Sequence, residues 1–270
     1  PPSDGSRHKS GQDMTSMAGQ AVQAGVDGCK AGWIAVLEED RSLCARVFQR
    51  FADIVDFLPP TAVIAVDMPI GLPDRVGHGG RGPEGLIRPL LGQRQSSVFS
   101  IPSRSAVYAE PGPFADAKEF RDAHSRASAI ARLTSDPARA ISIQAFGLFP
   151  KIREIDVLMI ERQELRERVI ESHPELAFWR LNGERAMALP KKIKGSVNPN
   201  GMEERKTLLA AHGLPRNLLD LPPPKGVGAD DLLDAAAMYL IAARHARGAT
   251  RPFPNPPLRD PLGIPIAIWA

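Results

Sequence analysis

Apolar positions change period along this chain, and each period predicts an element. From Ala21 onward, AVQAGVDG, GWIAVLEED and LCARVFQRF are short apolar runs separated by small turns, which predicts an antiparallel three-strand meander. Phe51, Ile54, Val55 and Leu58 then recur at helical spacing, and Pro59-Pro60 ends that helix. AVIAVD, ending at Asp67, is almost wholly apolar and reads as a strand covered on both faces. Met68 to Arg104 is rich in Gly, Pro and Arg and predicts a long ordered loop with one helix around Glu84–Leu91. Helical patterns follow over 114–135 and 150–166, the second starting at Pro150. RVIESHPE is a second short buried strand, ELAFWRL a helix after Pro174, and 202–212 another helix. DDLLDAAAMYLIAARHARG carries the strongest helical signal. Acids open it, Arg244, His245 and Arg247 close it, and Gly248 follows. The final IPIAIWA reads as an edge strand or a packed tail. The polar residues 1–20 read as a tag remnant or natural extension outside one domain over 21–270, with an insertion around 70–166.

Three strands, a helix, a strand, a helical insertion, a strand and a closing helix is the element order of the ribonuclease H-like α/β fold. That fold has a mixed sheet, a three-strand antiparallel meander plus parallel strands, flanked by helices. Its first and fourth strands are neighbours, so acids at their ends converge. Asp27, Asp67 and Glu171 end or interrupt apolar runs, and Asp230, Asp231 and Asp234 open the last helix. Carboxylates so placed are costly to bury unless something positive joins them. Their convergence makes a candidate site for Mg²⁺ or Mn²⁺, the hard cations of in-line phosphoryl transfer. The alternative for Asp27 and Asp67 is capping of the turns at Gly28 and Met68-Pro69. Asp230 fits an N-cap, and Asp231 and Asp234 are either ligands from that helix or helix-start acids that complement its dipole, with either of them ahead of Asp230 as a ligand. Glu171 is a ligand or water-positioning base, His173 a general base or a structural histidine, and Glu175 a cap.

Composition narrows the partners. With 34 Lys and Arg against 31 Asp and Glu, the formal charge is +3. That excess permits a polyanion without the dense stripe of a dedicated nucleic-acid coat. Two cysteines, Cys29 and Cys44, cannot build a disulfide framework, which points to a reducing, cytoplasmic setting. No apolar run approaches the ~20 residues of a membrane span. There is no third glycine for a dinucleotide fingerprint after Gly25 and Gly28, no phosphate-loop motif and no nucleophile elbow.

Seven segments, GVDGCKAGWIAV, AVDMPIGLP, LGQRQSSVFSIPSR, SIQAFGLFPKIREID, ESHPELAF, KKIKG and DDLLDAAA, resemble in this order the domain of unknown function 429 family. The resemblance runs from about Ala24 to Trp269. It implies a ribonuclease H-type, nuclease-like protein with Asp27, Asp67, Glu171 and Asp231 or Asp234 as its acids. The Asp-x-x-Asp spacing of the last helix also resembles Holliday-junction resolvases of that superfamily, which place a Glu on strand four where this chain has Asp67. Such enzymes often act as homodimers, although no dimer surface is readable here.

The expectation is therefore a metal-dependent nuclease with Asp27, Asp67, Glu171, Asp231 and Asp234 as catalytic acids. Asp27, Asp67, Glu171 and Asp231 are the expected metal set. Arg94, Ser97 and Arg104 in the loop after Asp67, Lys151 and Arg153, and Lys192 in the KKIKG run, are the expected phosphate contacts. The rival is a nucleotide- or phosphate-ligand-binding protein on the same fold, since fold does not fix function. A small closed pocket favours the rival, and a basic groove favours the nuclease.

Overall fold

The computed structural model of the protein describes residues 22–270, so the predicted tail over 1–20 lies outside the described residues. Strands β1 (Gln23–Cys29), β2 (Gly32–Glu39) and β3 (Ser42–Phe48) form the predicted meander. Asp40 and Arg41 make the β2–β3 turn with φ of 50° and 62°. Positive φ at both central residues matches the right-handed twist of a hairpin. Helix α1 (Phe51–Phe57) leads to β4 (Val63–Val66), which runs parallel to β1 with Val26 beside Val66. The insertion then supplies α2 (Pro83–Ile87), α3 (Arg104–Tyr108), α4 (Ala117–Leu133) and α5 (Ile143–Glu161) before β5 (Val169–Glu171) pairs parallel to β4. The result is a five-stranded mixed sheet in the order β3-β2-β1-β4-β5, flanked by helices.

Beyond the sheet come α6 (Pro174–Leu181), a small hairpin of β6 (Lys192–Ile193) and β7 (Ser196–Val197), α7 (Pro199–Ala211), α8 (Arg216–Leu219) and the long α9 (Ala229–Ala246). β8 (Pro252–Arg259) and β9 (Pro265–Trp269) form a separate antiparallel pair. Three departures from the sequence pattern have physical causes. Helix α5 begins at Ile143, capped by Ser142, and Pro150 lies inside it rather than at its start. Phe146, Phe149, Ile152, Ile155 and Met159 form one buried stripe along α5, and its burial outweighs the single N–H that Pro150 cannot donate. The helix predicted over Glu84–Leu91 stops after α2 and continues as a 3₁₀ stretch to Ser97, broken at Gly92, where φ is 50° and ψ is −121°. The terminal IPIAIWA pairs with the proline-rich PFPNPPLR, whose ladder is interrupted between Phe253 and Leu258 because proline has no N–H to give.

Side chains alternate across the sheet and divide the core in two. Ala24, Val26, Ile64, Val66 and Val169 face α1 and α5, while Ile34, Val36, Ala65 and Ile170 face α9. Gly25 sits on the α9 face, where a Cβ would lie 1.9 Å from Tyr239 N and 2.2 Å from Ala235 O. Backbone packs on backbone there, and no side chain of any size fits. Among the described residues no helix is long and apolar enough to cross a membrane.

Gly25→Ala is expected to lift α9 from the sheet and destabilise the protein by about 3 kcal/mol or more, at the severe end of core overpacking. Urea denaturation checks this. A change within about 0.5 kcal/mol, ordinary for surface substitutions, would mean that α9 does not bear on β1 at this point.

Candidate metal centre

The parallel register of β1 and β4 brings two acids side by side. The Asp67 N–H donates to Val26 O at 2.9 Å, so Asp67 continues β4 beside Asp27. Both follow the parity of Gly25 and Ala65 and emerge on the α9 face. Helix α9, seated on Gly25, adds Asp234. Carboxylate oxygens of Asp27, Asp67 and Asp234 all lie within 4.8 Å of one another. Asp27 and Asp234 are buried and Asp67 is half-buried. Two ionised carboxylates at 4.8 Å repel by about 3–4 kcal/mol at an effective dielectric of 20.

That repulsion shows in the proton affinities. Burial, then Asp67 and Asp234, push Asp27 well above the usual carboxylate range. Burial and Asp234 push Asp67 up to about 8, against the pull of Lys191. Burial raises Asp234 to about 6, although Lys191 donates to its Oδ2. Burial works against the Lys191 ammonium as well, but Asp234, Glu175 and Asp27 outweigh it and hold the pKa above the ordinary lysine value. One lysine thus faces three acids.

The site fits a small hard cation. All three donors are oxygens, and Asp234 Oδ1 is buried with no hydrogen-bond partner among the described residues. Oxygens sharing one Mg²⁺ stand about 3.0 Å apart when adjacent and about 4.2 Å when opposite, from metal–oxygen bonds near 2.1 Å. The 4.8 Å span of these oxygens needs only a small side-chain adjustment to close on it.

Asp231 and Glu171, both expected as ligands, are engaged elsewhere. Asp231 Oδ2 accepts the Gly228 N–H at 2.7 Å, closing the first turn of α9. Asp234 is the acid that α9 contributes, and Asp230 pairs with Lys192 at 2.7 Å. Glu171 sits opposite Val66 on β5 and shares the parity of Val169, away from α9. Its Oε1 accepts from Arg81 Nη2 at 2.6 Å, and its Oε2 from Arg81 Nη1 at 3.1 Å and Ile70 N at 2.7 Å. Arg81 also donates to Glu84 at 2.7 Å, and the whole triad is buried. Burial pushes Glu171 up to about 7 in spite of Arg81.

Asp27, Asp67 and Glu171 all line one cleft of about 190 Å³, with Ser97, Lys151 and His173. Lys151 donates to Gly32 O, and its Nζ stands 4.4 Å from the centre of the Trp33 ring. Burial lowers its proton affinity, against the pull of Glu154. Burial also lowers His173 to about 4, so its ring is neutral near pH 7. Ser97 donates to Arg94 O at 2.8 Å. Four expected phosphate contacts do not line the cleft. Arg104 pairs with Asp156 and Asp260, and Arg153 donates to Val107 O, Glu110 O and Pro111 O. Arg153 is spent inside the insertion, and Arg104 ties the insertion to the β8–β9 turn. Arg94 lies beyond the lining, and Lys192 stands on the exposed hairpin with its partner Asp230. Arg81 and Glu84 entered from a Gly- and Pro-rich loop whose periodicity gave no hint of burial. Lys191 was readable only as part of a basic run.

The chain is thus a mixed α/β protein whose sheet and closing helix gather three acids, two of which, Asp27 and Asp67, line one cleft. A family described as "Protein of unknown function (DUF429)" matches residues 25–259, and the chain belongs to it. No curated protein and no solved structure matches the chain.

The raised carboxylates give the metal-free protein a definite pH dependence. Between about pH 4, where unfolded carboxylates titrate, and about pH 8, the folded state holds more protons than the unfolded one. Stability contributed by these groups therefore falls as pH rises. In EDTA the Tm is expected to drop from about pH 5 to about pH 8.5, less steeply in Asp67→Asn. Parallel profiles for the two proteins would remove Asp67 from the effect.

Proposed function

We propose that the protein is a divalent-metal-dependent phosphodiesterase of the ribonuclease H-like kind, acting on nucleic acid with Mg²⁺ or Mn²⁺. The observation that carries this reading is the meeting of Asp27, Asp67 and Asp234 within 4.8 Å around a buried, unpartnered oxygen. The sheet order β3-β2-β1-β4-β5, with α9 laid over β1 and β4, supports it as the arrangement of that fold. When bound, the cation supplies a Lewis acid for a phosphoryl oxygen and lowers the pKa of water. Asp27, Asp67 and Asp234 give up their protons and orient their oxygens toward one point. Lys191 releases Asp234 or remains as a counter-charge. Lys151, beside Asp27 at the cleft rim, is placed to meet a phosphate oxygen. Glu171, held by Arg81, braces the cleft wall.

A nucleotide- or phosphate-ligand-binding protein is the second reading. The small cleft favours it, since about 190 Å³ is a recess and not an extended groove.

Calorimetric titration with Mg²⁺ and Mn²⁺ tests the first reading. Wild type is expected to bind, and Asp27→Asn/Asp67→Asn to lose binding. Asp231→Ala should bind as wild type does while losing about 1 kcal/mol of stability with its capping bond. Asp27→Asn alone should abolish metal-dependent cleavage of DNA or RNA and raise the stability of the metal-free protein near neutral pH, because a buried carboxyl no longer has to take up a proton to fold. Full cleavage by Asp27→Asn, or metal binding undiminished in the double variant, would overturn the assignment.

A further inference from the structure

The cleft lined by Asp27 and Asp67 has two unlike halves. Asp27, Asp67 and Lys151 make one, and Met68, Pro69, Phe99, Ile101, Leu148 and Ile268 make the other. Hydrolysis of a phosphodiester needs no apolar wall of that extent. The cleft's 190 Å³ also falls below the roughly 300–1,000 Å³ of pockets that take larger small molecules. A stacked duplex keeps its base faces covered and cannot bring one to this wall.

Two polar atoms sharpen the picture. Glu84 Oε2 and His173 Nδ1 are buried and have no hydrogen-bond partner among the described residues, and both residues line the cleft. His173 Nε2 lies 3.4 Å from Ser97 O, which can only accept, so Nδ1 is left as an acceptor. Glu84 is 2% exposed and its other oxygen is taken by Arg81. Both orphaned atoms call for a donor, and an unpaired buried acceptor is unfavourable until one arrives.

Resting on the metal-dependent reading above, we propose that the recess receives a single unstacked nucleotide. Its base lies on the wall formed by Phe99, Met68 and Pro69. An exocyclic amine faces Glu84 and His173, and the phosphate sits over Asp27 and Asp67 beside Lys151. The substrate class is then single-stranded or extruded nucleic acid, with amine-bearing bases (adenine, cytosine or guanine) ahead of thymine or uracil.

The test uses the full chain and fluorescent oligonucleotides. Anisotropy in Ca²⁺ reads binding, and gels in Mn²⁺ read cleavage. The probes are single-stranded oligo-dA and oligo-dT, a blunt duplex, and oligo-dA with one abasic site. The expected result is oligo-dA ahead of oligo-dT and far ahead of the duplex. Phe99→Ala should weaken oligo-dA binding roughly 5- to 150-fold, the range for loss of one base–aromatic stack. Phe99→Leu, which keeps apolar bulk and protects the fold, should weaken it less. Neither variant should alter the weak binding of the duplex. Metal-dependent cleavage of duplex and single strand alike, indifferent to Phe99, would overturn the nucleotide recess and leave the nuclease standing. Binding that depends on Phe99 and on the base, without cleavage, would uphold the recess and sink the nuclease. Absence of binding to every strand would overturn the recess.

Discussion

The site rests on one close approach, the seating of α9 on Gly25. A Cβ there would stand 1.9 Å from a backbone nitrogen of α9, so only a glycine lets helix and strand touch main chain to main chain. Two residues further along β1 stands Asp27, and one residue before the contact at Ala235 stands Asp234. The contact that joins helix to sheet therefore also sets the distance between two carboxylates. Asp67 joins them through the parallel β1–β4 register, which the ladder fixes independently. A shift of one residue in that register would turn Asp67 to the α5 side of the sheet and dissolve the cluster.

Two clusters of buried acid lie at the same end of the sheet and are settled in opposite ways. Glu171 and Glu84 share Arg81, whose five donors meet carboxylates and loop carbonyls together. Asp27, Asp67 and Asp234 share only Lys191, a single point charge at one edge. The first is a charge-paired strut, unpartnered only at Glu84 Oε2, and its arginine cannot be displaced without leaving two buried charges unpaired. The second holds protons where charge is missing, because burial lifts all three acids and the charges of its neighbours lift Asp27 and Asp67 further. An assembly that keeps protons at neutral pH is open to exchange them for a cation.

Much of the fold was legible because its signals are local. Short apolar runs, the Pro59-Pro60 stop and the capped last helix each depend on a few neighbours. Asp27 and Asp67 were legible as acids ending apolar strands. The choice between Asp231 and Asp234 was not, since it turns on which oxygen takes the Gly228 N–H. Glu171 carries a signal that strand alternation alone could have read. Val169 and Glu171 share a face opposite Ile170, and that face is not the one α9 covers. Arg104 and Arg153 looked like phosphate contacts because arginine serves carboxylates and carbonyls equally well. Their partners Asp156, Asp260 and the carbonyls of Val107, Glu110 and Pro111 come from distant segments that no spacing reveals.

The insertion and the terminal hairpin act on the site more than their distance in sequence suggests. Phe99 and Ile101 come from the loop after α2, Leu148 from α5 and Ile268 from β9, and together they wall the cleft that β1 and β4 floor with acids. Water excluded by such walls leaves the acids in a lower dielectric, where repulsion and cation attraction both grow. The walls that make the cluster unfavourable as it stands would equally strengthen its hold on the proposed cation. The same walls leave little room for a bulky partner.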